Sequence, residues 1–427
     1  MIIHVVKQGE TADSIARQYG VSLAHLVANN GITNWSQLAV GQALLILFPE
    51  KTHVVQPGET LDSIARANGV SIRELFQNNF ILFGRELITP GQTLVLSYND
   101  HPEGPLSVNG YAYPFVNRDL LRSTLPFLTY LTPFTYGLTA AGGLLDLTDA
   151  ELIRLSGEYG VQPLMHLSTM TEEGGFSNTR AHLVLTNQDV QNRLIEEILD
   201  NLQRKGYYGL DVDFEFIYPE DRDAYTGFIA ALRDRLNPLG YEVVVALAPK
   251  TSDTQPGTLY EGHDYGGMAQ AANAVFLMTY EWGYTYGPPM AVAPINAVRR
   301  VLDYAVTKIP REKIFMGMPN YAYDWPLPFL QGTTRAQSIS NVRAVDLAIE
   351  YGAAIEFDEE AQTPHFRYYN RQGDPHEVWF EDVRSIKAKL DLVREYGFQG
   401  VGYWNMMRPF PGNWTLLNAL FRIRQAS

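Results

Sequence analysis

The sequence predicts a (β/α)8 barrel preceded by two small βααβ modules. Three observations predict it. Short apolar runs alternate with amphipathic stretches eight times after residue 106. The stretch GLDVDFEF at 209–216 places three acids at alternate positions, with apolar residues between them. Residues 4–17, HVVKQGETADSIAR, return almost unchanged as HVVQPGETLDSIAR at 53–66.

The bulk numbers narrow the class. A chain of 427 residues that is 46% hydrophobic buries a large core, and at roughly 100–200 residues per domain it divides into two to four. A formal charge of −14 opposes a nucleic-acid partner held through phosphates, and equally an anionic membrane surface. No apolar stretch approaches the roughly 18 residues that cross a bilayer. Cysteine is absent, which excludes disulfides and thiolate chemistry. The nine histidines form no HExxH or HxH pair, so neither a metal nor a cofactor is expected. The start, MIIHVVKQGET, lacks the basic segment and long apolar run of a signal peptide, so synthesis without ordinary export is expected. Aromatic residues reach 12%, which suits a packed core or a surface on which flat rings stack against sugars.

The repeat defines the first two domains, 1–48 and 50–98. Each copy opens with a β-rich run and a Gly-containing turn. A helix follows, with Thr11 or Thr60 as N-cap. A second helix follows Val21-Ser22 or Val70-Ser71 and ends at the pairs Asn29-Asn30 or Asn78-Asn79, and a closing strand lies at Leu44–Leu47 or Leu94–Leu96. Both copies resemble the LysM module in their H-x-V-x-x-G-E-T start, their I-A in the first helix, their N-N pair and their G-Q-x-L close. The resemblance implies binding of N-acetylglucosamine-containing glycans, peptidoglycan or chitin. It puts the groove at Gly9, Glu10, Thr11, Asn29 and Asn30 in one copy and at Gly58, Glu59, Thr60, Asn78 and Asn79 in the other. Each of these residues also has a local structural use: glycine sets the turn, threonine caps, asparagine ends the helix.

The polar run 99–105 is a linker, and 106–427 forms one large domain. Its strands are expected at 107–113, 129–138, 162–168, 208–217, 242–249, 274–280, 313–321 and 399–406. Helices are expected at 187–205, 223–236, 291–308 and 383–396, the first from apolar residues at Val190, Leu194, Ile198 and Leu202. Repeated strand–helix alternation argues for the closed barrel. The long gap before the last strand reads as a small α+β insertion at about 322–382, with antiparallel strands within 353–370 and 376–382.

An isolated D-x-D-x-E strand can sit at a sheet edge with its acids in water. A closed barrel has no edge. Leu210, Val212, Phe214 and Phe216 then face the helices, and Asp211, Asp213 and Glu215 face the barrel interior. Crowded acids raise one another's pKa. Glu215 lies nearest the strand's C-terminal end, where this fold places its chemistry, and is the best general acid for a glycosidic oxygen. Asp213 is on the same strand face and cannot stand across a sugar ring from Glu215. That favours attack by the substrate's own 2-acetamido oxygen, with Asp213 orienting the acetamido N–H and stabilising the oxazolinium ion.

This row resembles the fourth-strand D-x-x-D-x-D-x-E of glycoside hydrolase family 18. MTYE (278–281) resembles that family's sixth-strand motif, and GYW (402–404) its eighth. The resemblance implies Glu215 as acid/base, Asp213 as acetamido partner, Asp211 as its supporting acid and Tyr280 as acetamido ligand. Trp404 becomes a sugar platform, though alone it would read as core. Glu281, Tyr208 and Asn405 complete the candidate substrate contacts. Two positions depart from the family: Tyr208 replaces its first Asp, and Glu281 its Asp or Asn. The tandem modules and the barrel together resemble the spore cortex-lytic enzymes of the SleL/YaaH type. That resemblance implies a peptidoglycan N-acetylglucosaminidase of the spore cortex, active in germination and packed into the spore from the mother cell. Two alternatives stand beside it: a chitinase or related hydrolase of N-acetylglucosamine oligomers, and a non-catalytic glycan-binding coat protein.

Overall fold

The structure is a computed structural model that describes residues 1–426. Each N-terminal module is a two-stranded antiparallel sheet carrying two helices. Ile2–Val5 pairs with Ala43–Ile46 around helices Ala12–Tyr19 and Leu23–Asn30. Pro49–Val54 pairs with Thr93–Tyr98 around helices Leu61–Asn68 and Ile72–Asn78. The repeated G-E-T-x-D-S explains the shared start. The hydroxyls of Thr11 and Thr60 accept from the N–H of Ser14 and Ser63, whose hydroxyls accept from the threonine N–H in return.

Both modules are docked on the large domain. Leu45, Leu47 and Phe80 enter its hydrophobic core. Ile355 N–H donates to Val40 O at 2.8 Å, and Gln77 Nε2 to Pro126 O at 2.8 Å. At Gly41 the approach is so close that a Cβ would stand 1.9 Å from Ile355 O.

Eight parallel strands form the barrel: β1 (Glu103–Ala112), β2 (Tyr130–Pro133), β3 (Gln162–Ser168), β4 (Gly209–Asp213), β5 (Glu242–Leu247), β6 (Ala274–Leu277), β7 (Ile314–Pro319) and β8 (Gly400–Trp404). They pair in that order, and β8 closes on β1 with Val401 opposite Val108. A short strand, Phe421–Ile423, adds alongside the start of β1. Helices Gln188–Lys205, Arg222–Leu236 and Val383–Tyr396 lie where the apolar spacing puts them.

Several boundaries differ from expectation. β1 begins at Glu103, so the last linker residues belong to the strand. β2 ends at Pro133, because the chain turns there toward a small hairpin, Gly137–Leu138 with Leu144–Leu145. The helix expected over 291–308 spans Ile295–Ala305 and begins directly after Pro294. β4 stops at Asp213, since neither β3 nor β5 pairs with it further. Leu210, Val212 and Phe214 are wholly buried under the helices, and Phe214 stacks on Tyr225 at 5.5 Å. Removing such a side chain from water stabilises by about 1.5–3 kcal/mol. Phe216 lies beyond the strand and is only partly buried, against Phe176.

Between β7 and β8 stands a five-stranded antiparallel sheet with the helix Asn341–Glu350. Its strands Thr363–Tyr369 and Pro375–Trp379 fall in the segments read as antiparallel. Ala322–Pro326 and Gln337–Ile339 add two strands that the sequence pattern did not suggest.

Candidate active site

The acids rise along β4 toward the C-terminal mouth of the barrel. Asp211 is completely buried, and Tyr111 Oη of β1 donates to its Oδ2 at 2.7 Å. Burial pushes its carboxyl up to about 6, against the opposing effects of His166 and the Tyr111 hydroxyl. Asp213 is buried with His166 Nε2 at 3.6 Å. Burial raises its pKa too. His166 itself is held down to about 4 by burial and so faces Asp213 uncharged. Glu215 stands just past the strand end. Burial raises its pKa first, and the charges of Asp213 and Glu281 raise it further. Three acids this deep retain a proton near neutrality, the condition a general acid requires.

Tyr280, directly beyond β6, is buried, and the charges of Asp213, Glu215, Glu281 and Asp211 add to burial in raising its phenol. Its ring therefore stands among all the acids of the mouth. Glu281 follows with a left-handed backbone, φ 69°, a conformation uncommon for a non-glycine residue. The residue is exposed by area, yet its carboxyl reaches inward: Tyr321 Oη donates to Oε1, and Tyr323 Oη does so at 3.2 Å. Burial of that carboxyl raises its pKa, and the two tyrosines oppose the rise. Trp404 ends β8, partly buried, with its ring 4.8 Å from Phe134, 5.8 Å from Tyr111 and 6.1 Å from Tyr113. Asn405 Oδ1 accepts from Met407 N–H at 3.1 Å, so its side chain holds the turn after β8.

Tyr208 is not at this mouth. It precedes β4, at the opposite end of the barrel, where its ring lies 5.7 Å from Tyr130. It stands seven positions before Glu215 with the whole of β4 between them, on the order of 20 Å. The four candidate asparagines of the modules, Asn29, Asn30, Asn78 and Asn79, are also occupied. Asn30 and Asn79 bind the backbone of Leu45 and Val95, fastening helix to strand. Asn29 Nδ2 donates to Tyr98 Oη at 3.3 Å, and Asn78 Nδ2 to Leu96 O at 2.8 Å. Glu10 and Glu59 accept from the N–H of Lys7 and Gln56 and pair with His4 and His53. Thr11 and Thr60 are spent as caps, while Gly9 and Gly58 turn the loop at φ 84° and 86°.

Sequence patterns alone missed Tyr111, His166, Tyr321 and Tyr323. The alternation in GYAY (110–113) and NYAYDW (320–325) was the available signal for the three tyrosines.

A barrel with buried, proton-retaining carboxylates and aromatic rings at its C-terminal mouth is that of a glycoside hydrolase. Comparison with known proteins agrees. The model of Glycosyl hydrolases family 18 matches residues 163–408, and that of the LysM domain matches 4–46 and 53–97. The chain belongs to glycoside hydrolase family 18 and carries two LysM domains ahead of the barrel. It is 41% identical to the cortical fragment-lytic enzyme of Bacillus subtilis, over 99% of both chains. The crystal structure of the spore cortex-lytic enzyme SleL of Bacillus megaterium superposes with a TM-score of 0.84 at 36% identity, covering 100% of this chain and 99% of that one. A chitinase from Chromobacterium violaceum gives 0.69 at 25% identity, covering 74% of this chain and 98% of that one.

The charge of Glu281 helps to keep Glu215 protonated. Glu281→Gln removes that charge, so the Glu215 pKa falls. If Glu215 is the general acid, the alkaline limb of the kcat–pH profile is expected to move to lower pH. A profile over pH 4–9 on cortex fragments checks this.

Proposed function

We propose that the protein is a peptidoglycan N-acetylglucosaminidase of the spore cortex, working by retaining, substrate-assisted hydrolysis. The observation that carries this is the acid row: Glu215 raised in pKa at the mouth, by burial and by the charge of Asp213, which stands two residues earlier at the end of β4. Glu215 donates its proton to the glycosidic oxygen. The substrate's acetamido oxygen attacks the anomeric carbon, and Asp213 receives the acetamido N–H and offsets the oxazolinium charge. Asp211, held by Tyr111, supports Asp213 from beneath. With the leaving sugar gone, Glu215, now a carboxylate, takes a proton from water whose oxygen bonds to the anomeric carbon; the bond from that carbon to the acetamido oxygen breaks, which restores the acetamido group and gives net retention. The remaining carboxylate at the mouth, Glu281, is engaged by Tyr321 and Tyr323, which argues against it as a protein nucleophile. Tyr280 would hold the acetamido group and Trp404 would stack under the sugar.

The substrate assignment draws on full-length similarity to a cortical fragment-lytic enzyme, and on the LysM domains as glycan-holding modules. On this reading the protein resides in the spore, acts during germination and reaches the spore from the mother cell. The likeness to a chitinase favours a second reading, hydrolysis of N-acetylglucosamine oligomers. Incubation with purified spore cortex, borohydride reduction and mass spectrometry separates the two. New reduced N-acetylglucosamine ends from cortex are expected. Reduced muramic ends, or cleavage of chitin oligomers alone, would refute the assignment.

A further inference from the structure

Phe214 lies between the two upper acids, Asp213 and Glu215, at the point where the chain leaves the sheet. The β4 ladder runs to Val212 on the β5 side and to Asp213 on the β3 side. The two main-chain groups of Phe214 are taken by side chains instead. Its N–H donates to Tyr225 Oη at 3.3 Å, and its carbonyl accepts from His263 Nε2 at 3.0 Å. His263 is wholly buried, and its Nδ1 accepts the N–H of Ala248 at 2.9 Å. An Nδ1 that accepts leaves the imidazole proton on Nε2, so the ring must donate upward to Phe214. The base of this contact is itself fixed. Buried Lys250 donates through Nζ to His263 O at 2.9 Å. Tyr265 Oη donates to Ala248 O at 2.6 Å and accepts from Lys250 N–H at 2.9 Å.

A second contact presses on the same segment. A Cβ on Gly262 would stand 2.4 Å from Ile217 Cβ and 3.0 Å from Ile217 O. Only glycine lets the 262–263 backbone lie directly against 214–217.

We infer that His263 and Gly262 form a clamp that aims Glu215 at the glycosidic oxygen, making His263 a positioning residue for the reaction. The inference rests on Glu215 being the acid. His263 is a buried neutral ring across the working range: burial, and then the charge of Lys250, hold it near 4. Tyr225 and Tyr265 lie against this cluster, and Arg222, Asp253, Asp264 and Glu261 are the charged groups that act on Lys250. Glu215 is faced by Asp213 below, Tyr113 of the β1 side, and Tyr280 and Glu281 beyond β6. A shift in the alkaline limb therefore reports on the placement of Glu215 rather than on titration of His263.

The test compares His263→Asn, His263→Gln, Gly262→Ala and Glu215→Gln on purified cortex fragments, with rates normalised to folded protein. Asn reaches the Nδ1 position only, whereas Gln reaches the Nε2 position and can still donate to Phe214 O. His263→Asn is expected to lower kcat about 10- to 100-fold with KM within about threefold, and to move the alkaline limb to lower pH. His263→Gln is expected to retain kcat within about threefold, and Gly262→Ala to behave like His263→Asn. Equal losses in the Asn and Gln variants, or an unmoved pH profile, would overturn the clamp. If His263→Asn fails to fold, Gly262→Ala decides alone, since normal activity there excludes the clamp. Glu215→Gln activity within about tenfold of the parent would instead remove the underlying assignment of the acid. An inactive Glu215→Gln beside a fully active His263→Asn would remove the clamp and leave the acid in place.

Discussion

Replacement of Glu215 by Gln is expected to lower kcat by about 10²–10⁴-fold while leaving glycan binding within a few fold of the parent. Gln matches the size of Glu and can still donate a hydrogen bond, but it cannot transfer a proton. The loss falls on kcat because the missing step occurs in the transition state and not in binding. Rates on cortex fragments, together with a pull-down on intact cortex, separate the two quantities. The rise in the Glu215 pKa has three contributors, burial, Asp213 and Glu281, and all three act to keep the proton in place until it is needed.

Asp213→Asn is the second large effect. The Asn amide can accept the acetamido N–H but brings no charge against the oxazolinium ion. A loss of about 10²–10³-fold in kcat is expected, the size of one removed electrostatic partner. The same change is expected to stabilise the fold, and the sign follows from linkage. Burial raises the folded pKa of Asp213 above its unfolded value near 4. Below the unfolded pKa both states are protonated, and the buried carboxyl brings no penalty. As pH rises toward the folded pKa, the unfolded chain releases the proton first, and stability is lost. Asn does not titrate. The variant should therefore match the parent near pH 4 and exceed its Tm by about 2–4 °C at pH 8, measured by calorimetry. A variant that is at once less active and more stable is the mark of an acid placed for chemistry.

The sequence made the architecture legible because the architecture is repetitive. Two near-identical modules cap their helices with the same Thr and Ser pairs, and the strands announce themselves by a buried apolar face such as Leu210-Val212-Phe214. What it did not make legible depends on partners distant in the chain. The alternation in GLDVDFEF continues to Phe216, but β4 ends at Asp213 because its neighbours stop pairing there. Tyr208 sits in motif register with the acids, yet the length of the strand carries it to the other end of the barrel. Asn30 and Asn79 read equally well as ligands or as helix ends, and the strand carbonyls that claim their amides lie fifteen and sixteen residues further on. Tyr321 and Tyr323 matter only because the left-handed turn at Glu281 carries a carboxylate to them. His263, in a loop beyond β5, follows Glu215 by 48 positions, and no local pattern links the two.

The most direct test of the account concerns the nucleophile. Rates should be measured on a series of N-acetylglucosaminides whose acetamido group carries zero to three fluorines. Each fluorine draws electrons from the acyl oxygen and weakens it as a nucleophile. If that oxygen attacks the anomeric carbon, log kcat falls steeply and steadily across the series, while KM changes little. A rate that barely depends on fluorination, together with a glycosyl group trapped covalently on Glu281 or another protein carboxylate, would contradict the account and place the nucleophile on the enzyme.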